Sequence, residues 1–103
     1  MKSLQIRTIY FSYKRTDQQK WEYRKFRDLL IVGKIDVLLI RRPVNYPYEV
    51  QIYKSEILDN LNKGVPDRIV TASNNVTTLT LVTSELVLKI IKSLESEYKL
   101  VWG

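Results

Sequence analysis

A six-residue run near the middle of the chain, Ile35–Ile40 (IDVLLI), limits the possible folds more than any other segment. It is apolar apart from Asp36 and is bounded by Lys34 and Arg41. A strand with one exposed face alternates apolar and polar residues, whereas a strand that is covered on both faces does not. The run therefore predicts a central strand with helices on both faces of its sheet, which is typical of parallel α/β sheets.

The residues before this run predict a strand followed by a helix. Residues 4–13 are rich in β-branched and aromatic types, which favour a strand. Thr16 and Gln19 have the spacing of a capping box, so we expect a helix from Thr16 to about Ile31 that stops at Gly33. Two stripes on this helix follow the helical period. They are the apolar residues Tyr23, Phe26 and Leu30 and the basic residues Lys20, Arg24 and Arg27.

Residues 47–63 allow two interpretations. Apolar residues at 50, 53, 57 and 61 fit a single helix from about Pro47 to Lys63, which Gly64 would end. The alternation within residues 48–52 fits instead a strand, followed by a helix from Ser55. The single helix accounts for more residues and is the favoured prediction.

The last third of the chain predicts two extended segments and a helix. Residues 68–73 favour a short strand, Asn74-Asn75 a turn, and residues 76–82 a strand or an extended loop. Ser84 is the expected cap of a final helix over Glu85 to about Tyr98. Its apolar face consists of Leu86, Val87, Ile90, Ile91 and Leu94. We therefore expect one domain over residues 1–103, a small three-layer α/β fold with a mostly parallel sheet. An α+β ferredoxin-like fold and a restriction-endonuclease-like fold are the alternatives.

The composition excludes several kinds of chemistry. The 103 residues include no cysteine and no histidine, which excludes disulfides, thiolate nucleophiles, Cys/His zinc sites and a histidine base. No cofactor is expected, and any metal would be a hard cation bound by carboxylates. The chain contains neither an apolar run long enough to span a membrane nor the apolar core of a signal peptide, so we expect a cytoplasmic protein without a membrane partner.

Positive charge is concentrated in the first part of the chain. Residues 1–42 contain eleven Lys or Arg against four acidic residues, whereas residues 43–103 contain six against seven. A basic region of this kind indicates an anionic partner, of which nucleic acid is the commonest, and duplex DNA is the expected one. The predicted contacts are Lys14, Arg15, Lys20, Arg24, Arg27, Arg41 and Arg42. Aromatic residues lie among these cations, so bases could also stack on Tyr10, Phe11, Tyr13, Trp21 or Tyr23.

Four segments, taken in order, carry a resemblance to a known family. Ile9–Gln18 (IYFSYKRTDQ) is similar to a strand with a Y-A-R-V-S-T-x-D-Q turn, and Lys34–Ile40 to a strand that precedes a D-R-x-x-R motif. Glu56–Ala72 is similar to a helix–Gly-Val–strand unit, and Ser73–Tyr98 to an E-N-I-D-T-x-T segment with its helix. In these segments the chain resembles a shortened catalytic domain of the serine recombinases, the resolvase/invertase family. The resemblance implies a resolvase-like α/β fold and DNA as the partner.

The chain departs from this family at the residues that perform its chemistry. The family's nucleophilic serine would fall near Lys14, and the arginines of its D-R-x-x-R motif near Val44 and Pro47. Phosphoryl transfer depends on such groups, so the resemblance implies a non-catalytic, DNA-associated domain. A displaced site is the exception that the residues allow. It would combine Ser12 as nucleophile with Arg15, Arg41 and Arg42 at neighbouring strand ends.

Two other function classes fit parts of the sequence. If residues 48–53 form a strand, then Asp36, Glu49 and Gln51 resemble the D…(E)xK core of nucleases in which carboxylates bind Mg²⁺. The third class is a homodimeric interaction or regulatory module. In this module, and also in the DNA-associated domain, the final helix would contact a second copy through Leu86, Ile90 and Leu94.

Overall fold

A computed structural model of the protein describes residues 2–44, 48–53, 56–57, 69–73, 76–81 and 83–103. Its elements are β1 (Ser3–Tyr10), α1 (Asp17–Ile31), β2 (Val37–Arg41), β3 (Tyr48–Ile52), β4 (Ile69–Ser73), β5 (Val76–Leu81), α2 (Ser84–Glu97) and β6 (Lys99–Trp102). The strands form one sheet in the order β4-β5-β3-β2-β1-β6. The protein is therefore a small α/β domain with a mixed sheet.

Strand β2 lies in the interior of this sheet, and its side chains alternate between two cores. Leu38 and Ile40 pack in one core with Leu30 of α1, whereas Val37 and Leu39 pack in the other with residues of α2. Both helices therefore cover the sheet, one on each face. The predictions of a central strand covered on both faces and of three layers are confirmed.

The prediction of a mostly parallel sheet is wrong. β1 pairs in parallel with β2 and β6, but the pairs β2–β3, β3–β5 and β4–β5 are antiparallel. Parallel neighbours need a crossover of about a dozen residues or more, usually a helix. Residues 42–47 and 74–75 are shorter connections than this, so the strands that they join run in opposite directions.

The favoured helix over residues 47–63 is also wrong at its beginning, because residues 48–52 form β3. In the strand, Val50 and Ile52 lie buried in the core on the α2 side, while Gln51 lies on the α1 side. The alternative interpretation, a strand followed by a helix, is correct here. Glu56 and Ile57 are helical, and the rest of the predicted helix lies outside the described residues.

Helix α1 begins and ends where the sequence predicted. The Thr16 side chain accepts a hydrogen bond from the Gln19 backbone at 3.1 Å, and Gln19 Oε1 accepts one from the Thr16 backbone at 3.2 Å. These two bonds form the capping box and satisfy amides that the first turn leaves without partners. After the helix, Gly33 has a φ of 81°, a left-handed conformation that glycine adopts without steric cost.

Helix α2 differs from its prediction at its beginning and agrees with it at its end. Its cap is Thr83 rather than Ser84, and the Thr83 side chain accepts from the Leu86 backbone at 3.3 Å. The helix ends at Glu97, and the chain then adds β6 beside β1, a strand that the sequence did not predict. In the described part of the chain, neither helix is long and apolar enough to cross a membrane.

Candidate functional site

The strongest candidate site lies at one edge of the sheet. β1 and β2 are parallel and end at this edge, and α1 begins there directly after the loop that follows β1. Ligands of open α/β sheets usually bind at the carboxyl ends of the strands. Lys14 and Arg15 follow β1, while Arg41 and Arg42 lie at the end of β2. The structure thus brings these four predicted cations to one edge.

Arg41 and Arg42 nevertheless face opposite sides of the sheet, because successive residues of a strand alternate. The Arg42 guanidinium lies 5.5 Å from the centre of the Phe11 ring, on the α1 side. Arg41 lies on the α2 side, where it lines a cavity with Leu39 and Tyr48. Arg41 therefore does not share a face with Arg15 and Arg42, and the seven nucleic-acid contacts stay a prediction.

On the α1 side, three arginines surround an aromatic pair. Phe11 is buried, and its ring contacts that of Tyr23 edge-to-face at 5.6 Å. The Arg15 guanidinium lies 4.8 Å from the Phe11 ring centre, and that of Arg27 lies 6.0 Å from the Tyr23 ring centre. Arg42 completes the group. We call these five residues the arginine–aromatic cluster. The electron-rich faces of the rings attract the guanidinium charges and hold them at the surface.

A carboxylate of β3 reaches this cluster at Arg42. Glu49 of β3 forms an ion pair with Arg42, and both side chains are about one-fifth exposed. Arg15 forms no ion pair with any described carboxylate, and the same holds for Lys14, Lys20 and Arg24. The cations at this surface are therefore compensated only in part, which favours an anionic ligand.

A buried polar contact orients α1 on the sheet. Gln51 of β3 is 4% exposed, and its Nε2 donates a hydrogen bond to the Tyr23 hydroxyl at 2.9 Å. Tyr23 therefore marks the side of α1 that faces β3. Arg27 lies one turn further along, and the exposed residues Lys20 and Arg24 continue around the helix from it towards solvent. We call Lys20, Arg24 and Arg27 the α1 basic flank. It joins the arginine–aromatic cluster at Arg27.

Ser12 lies at the end of β1, but its hydroxyl is engaged in the loop. Its Oγ donates to the Lys14 carbonyl at 2.7 Å and lies 3.0 Å from Gln19 Oε1. The same Gln19 oxygen also accepts from the Ser12 backbone at 3.3 Å. These contacts give Ser12 a role in closing the loop between β1 and α1. They hold the proton that a nucleophilic serine would have to give up.

The nuclease interpretation fails on distance. Val37 pairs with Ile52 and Ile40 pairs with Glu49, so Asp36 and Glu49 lie at opposite ends of the β2–β3 pair. Four residues of strand separate them, roughly 13 Å, which is too far for both carboxylates to bind one Mg²⁺. Asp36 instead accepts from the Gln5 backbone at 2.8 Å, while Glu49 binds Arg42. In the described ranges, no group of three or more acidic residues could hold a metal ion.

The predicted dimer contacts of the final helix belong mostly to the protein's own core. Ile90 and Leu94 are buried against the sheet, and Leu86 packs half-buried against the same core. The sheet of the same chain therefore already covers Ile90 and Leu94. Dimerisation itself stays a prediction.

The aromatic residues divide between core and surface. Phe11 is buried and Tyr23 half-buried, whereas Tyr10, Tyr13 and Trp21 are exposed. The sequence analysis missed Trp102, which is half-exposed and lines the same cavity as Arg41. The β-branched Val101 and the aromatic Trp102 were the available signal for β6.

An exposed ion pair lies away from this edge. Lys2, which precedes β1, donates a hydrogen bond to Glu56 at 2.8 Å. This hydrogen bond and the attraction between the two charges raise the pKa of Lys2. Exposed pairs of this kind contribute little to stability.

When the chain is compared with models of known protein families, with curated proteins and with solved structures, no match is found. Its function must therefore be argued from the geometry of the site.

Proposed function

We propose that the protein is a non-catalytic nucleic-acid-binding domain that contacts the phosphates of duplex DNA through the α1 side of its sheet. The observation that carries the proposal is the arginine–aromatic cluster. Three guanidinium groups lie against two rings in contact, Glu49 pairs with Arg42, and the exposed Arg15 forms no ion pair with a described carboxylate. Arg15 lies exposed against the Phe11 ring, and its N–H donors match phosphate oxygens in geometry and charge.

The extent of the surface favours a polymer over a single phosphate group. The α1 basic flank extends the cluster from Arg27 back to Lys20, which spans roughly 10 Å along the helix axis. Lys14 adds a further exposed cation beside Arg15. A row of cations of this length can neutralise several phosphates of one backbone, which is the sequence-independent part of DNA binding. The proposal assigns no contact with base edges.

Catalysis is not part of the proposal. The Ser12 hydroxyl is engaged in the β1–α1 loop, and Asp36 and Glu49 are too far apart to share a metal ion. The relationship to the serine recombinases, the cytoplasmic location and a homodimer stay predictions from the sequence. The arginine–aromatic cluster and the α1 basic flank support an anionic partner on the α1 side.

Fluorescence anisotropy with a labelled DNA duplex tests the proposal. Log affinity should fall linearly with log salt between about 50 and 200 mM. Replacing Lys20 and Arg24 by Gln should weaken binding roughly tenfold or more and lower the salt slope by about two, because two phosphate contacts are lost.

The matched control is Lys89→Gln with Lys92→Gln, which removes the same charge from exposed positions of α2. This pair should leave both the affinity and the slope nearly unchanged. Equal losses in the two double variants would mean that net charge alone attracts DNA. A flat salt response would refute phosphate contacts. A labelled single strand in the same assay reports whether duplex is preferred.

A further inference from the structure

A cavity opens on the other face of the sheet, between α2 and the strands β1, β2 and β3. Its volume is about 320 Å³, which falls within the range of small-ligand pockets. Leu39 of β2 and Val87 and Ile91 of α2 form apolar walls, and Trp102 of β6 closes one side. Leu39, Val87, Ile91 and Trp102 also line a much smaller apolar space that extends towards Ile6 in the core. The interior of the cavity is therefore suited to an apolar group.

Arg41 is the one charged residue in the cavity's described lining, which includes no carboxylate. Thr8 and Ser84 add hydroxyl groups to this lining. Arg41 also forms no ion pair with any carboxylate that the structure describes, whereas Glu49 compensates the adjacent Arg42. An uncompensated guanidinium beside apolar walls matches a ligand with one anionic group on an apolar body.

We propose that this cavity binds a small aromatic monocarboxylate. The carboxylate pairs with Arg41, and the ring enters the apolar space between Trp102 and α2. A single cation in the described lining favours one negative charge on the ligand. The aromatic side chains of Trp102 and Tyr48 among the lining residues favour a flat ring, because rings pack edge-to-face or in offset stacks. This site lies on the opposite face from the arginine–aromatic cluster and does not rest on the proposed function.

The two tryptophans of the chain allow a direct test by nuclear magnetic resonance. Trp102 lines the cavity, whereas Trp21 lies exposed on α1, on the other side of the sheet. The probe is 3-phenylpropionate, titrated into ¹⁵N-labelled protein, and its neutral counterpart is 3-phenylpropanamide. The Trp21→Phe variant assigns the two indole N–H signals. We expect the Trp102 signal to shift saturably with the acid while the Trp21 signal stays in place.

Two neighbouring variants test the role of charge. Arg41→Gln should weaken binding of the acid about tenfold or more, to the level of the amide, because a charged hydrogen bond is lost. Arg42→Gln removes the same charge from the opposite face and should leave binding unchanged. The spectra themselves show that each variant is folded.

Several results would overturn the proposal. These are equal shifts of both indole signals, binding of the amide as tight as that of the acid, equal losses in the two arginine variants, or no saturable shift at all. The DNA assay separates this site from the proposed function, because Arg41→Gln should leave affinity for the duplex unchanged.

Discussion

The two faces of the sheet are stabilised in different ways. On the α2 side, the helix buries Val87, Ile90 and Leu94 in an apolar core, while Leu30 is the one fully buried residue that α1 contributes to the other core. α1 depends in addition on the Tyr23–Gln51 hydrogen bond and on arginines that pack against aromatic rings. Helix α2 is thus held mainly by apolar burial. Helix α1 is held partly by polar and cation–aromatic contacts, and the arginines of these contacts add positive charge to its side of the sheet.

The adjacent residues Arg41 and Arg42 illustrate the difference between the two faces. They are neighbours in sequence, yet one lines an apolar cavity and the other joins the arginine–aromatic cluster. Position in a strand, odd or even, decides which face a side chain occupies. A cluster of charges in a sequence therefore becomes one surface only when the strand register allows it.

The largest expected effect lies in the α2 core. Ile90→Ala should lower the free energy of unfolding by about 2–5 kcal/mol, because it removes buried methyl groups and leaves a cavity against the sheet. Urea denaturation measures the change. Leu88→Ala is the control on the same helix, since Leu88 is 57% exposed, and it should change stability by less than about 0.5 kcal/mol.

A charged residue at position 90 extends this test. Ile90→Glu should unfold the protein rather than yield a folded monomer, because the core has no partner for a buried carboxylate among its described members. If Ile90→Ala costs no more than Leu88→Ala, the description of α2 as held by apolar burial is wrong.

An intermediate effect is expected from the polar contact on the α1 side. Tyr23→Phe should cost about 1–3 kcal/mol, because the buried Gln51 amide loses a hydrogen-bond partner. Adding Gln51→Leu should recover part of this loss, since an apolar pair needs no partner. Urea denaturation of both variants provides the measurement. A double variant that is less stable than Tyr23→Phe would contradict this account of how α1 is attached.

The sequence predicted those elements whose signals are local. The Ile35–Ile40 run identified the central strand, and the Thr16–Gln19 spacing identified the start of α1. β3 was the less favoured interpretation because Val50 and Ile57 satisfy a helical period, although they belong to one core through a strand and the helical residues after it. Local periodicity does not distinguish one long helix from a strand followed by a helix, since pairing of β3 with β2 is a long-range contact.

The candidate site shows the same limit. Charge asymmetry drew attention to Arg15 and Arg42, which the structure places against one ring at this edge. It could not identify Phe11 as the ring that both contact, nor the separation of Arg41 from Arg42, because both depend on tertiary contacts and register. β6, and with it the position of Trp102, was missed because a four-residue strand acquires its stability from pairing with β1.

The smallest expected effect concerns the helix caps. The cap of α1 is the predicted Thr16, whereas the cap of α2 is Thr83, one position before the predicted Ser84. Thr83→Ala should cost about 1 kcal/mol, because the Leu86 backbone amide loses its acceptor, whereas Ser84→Ala should have no measurable effect. Thr16→Ala on α1 should cost about as much as Thr83→Ala, since each change removes one capping hydrogen bond. Urea denaturation of the three variants, with unchanged slopes, separates these outcomes. If Ser84→Ala lowers the free energy of unfolding as much as Thr83→Ala does, Ser84 is also a cap of α2, as the sequence predicted. Equal losses at Thr16 and Thr83 would show that the two helices begin in the same way and that the contrast between the faces arises only from what each helix packs against.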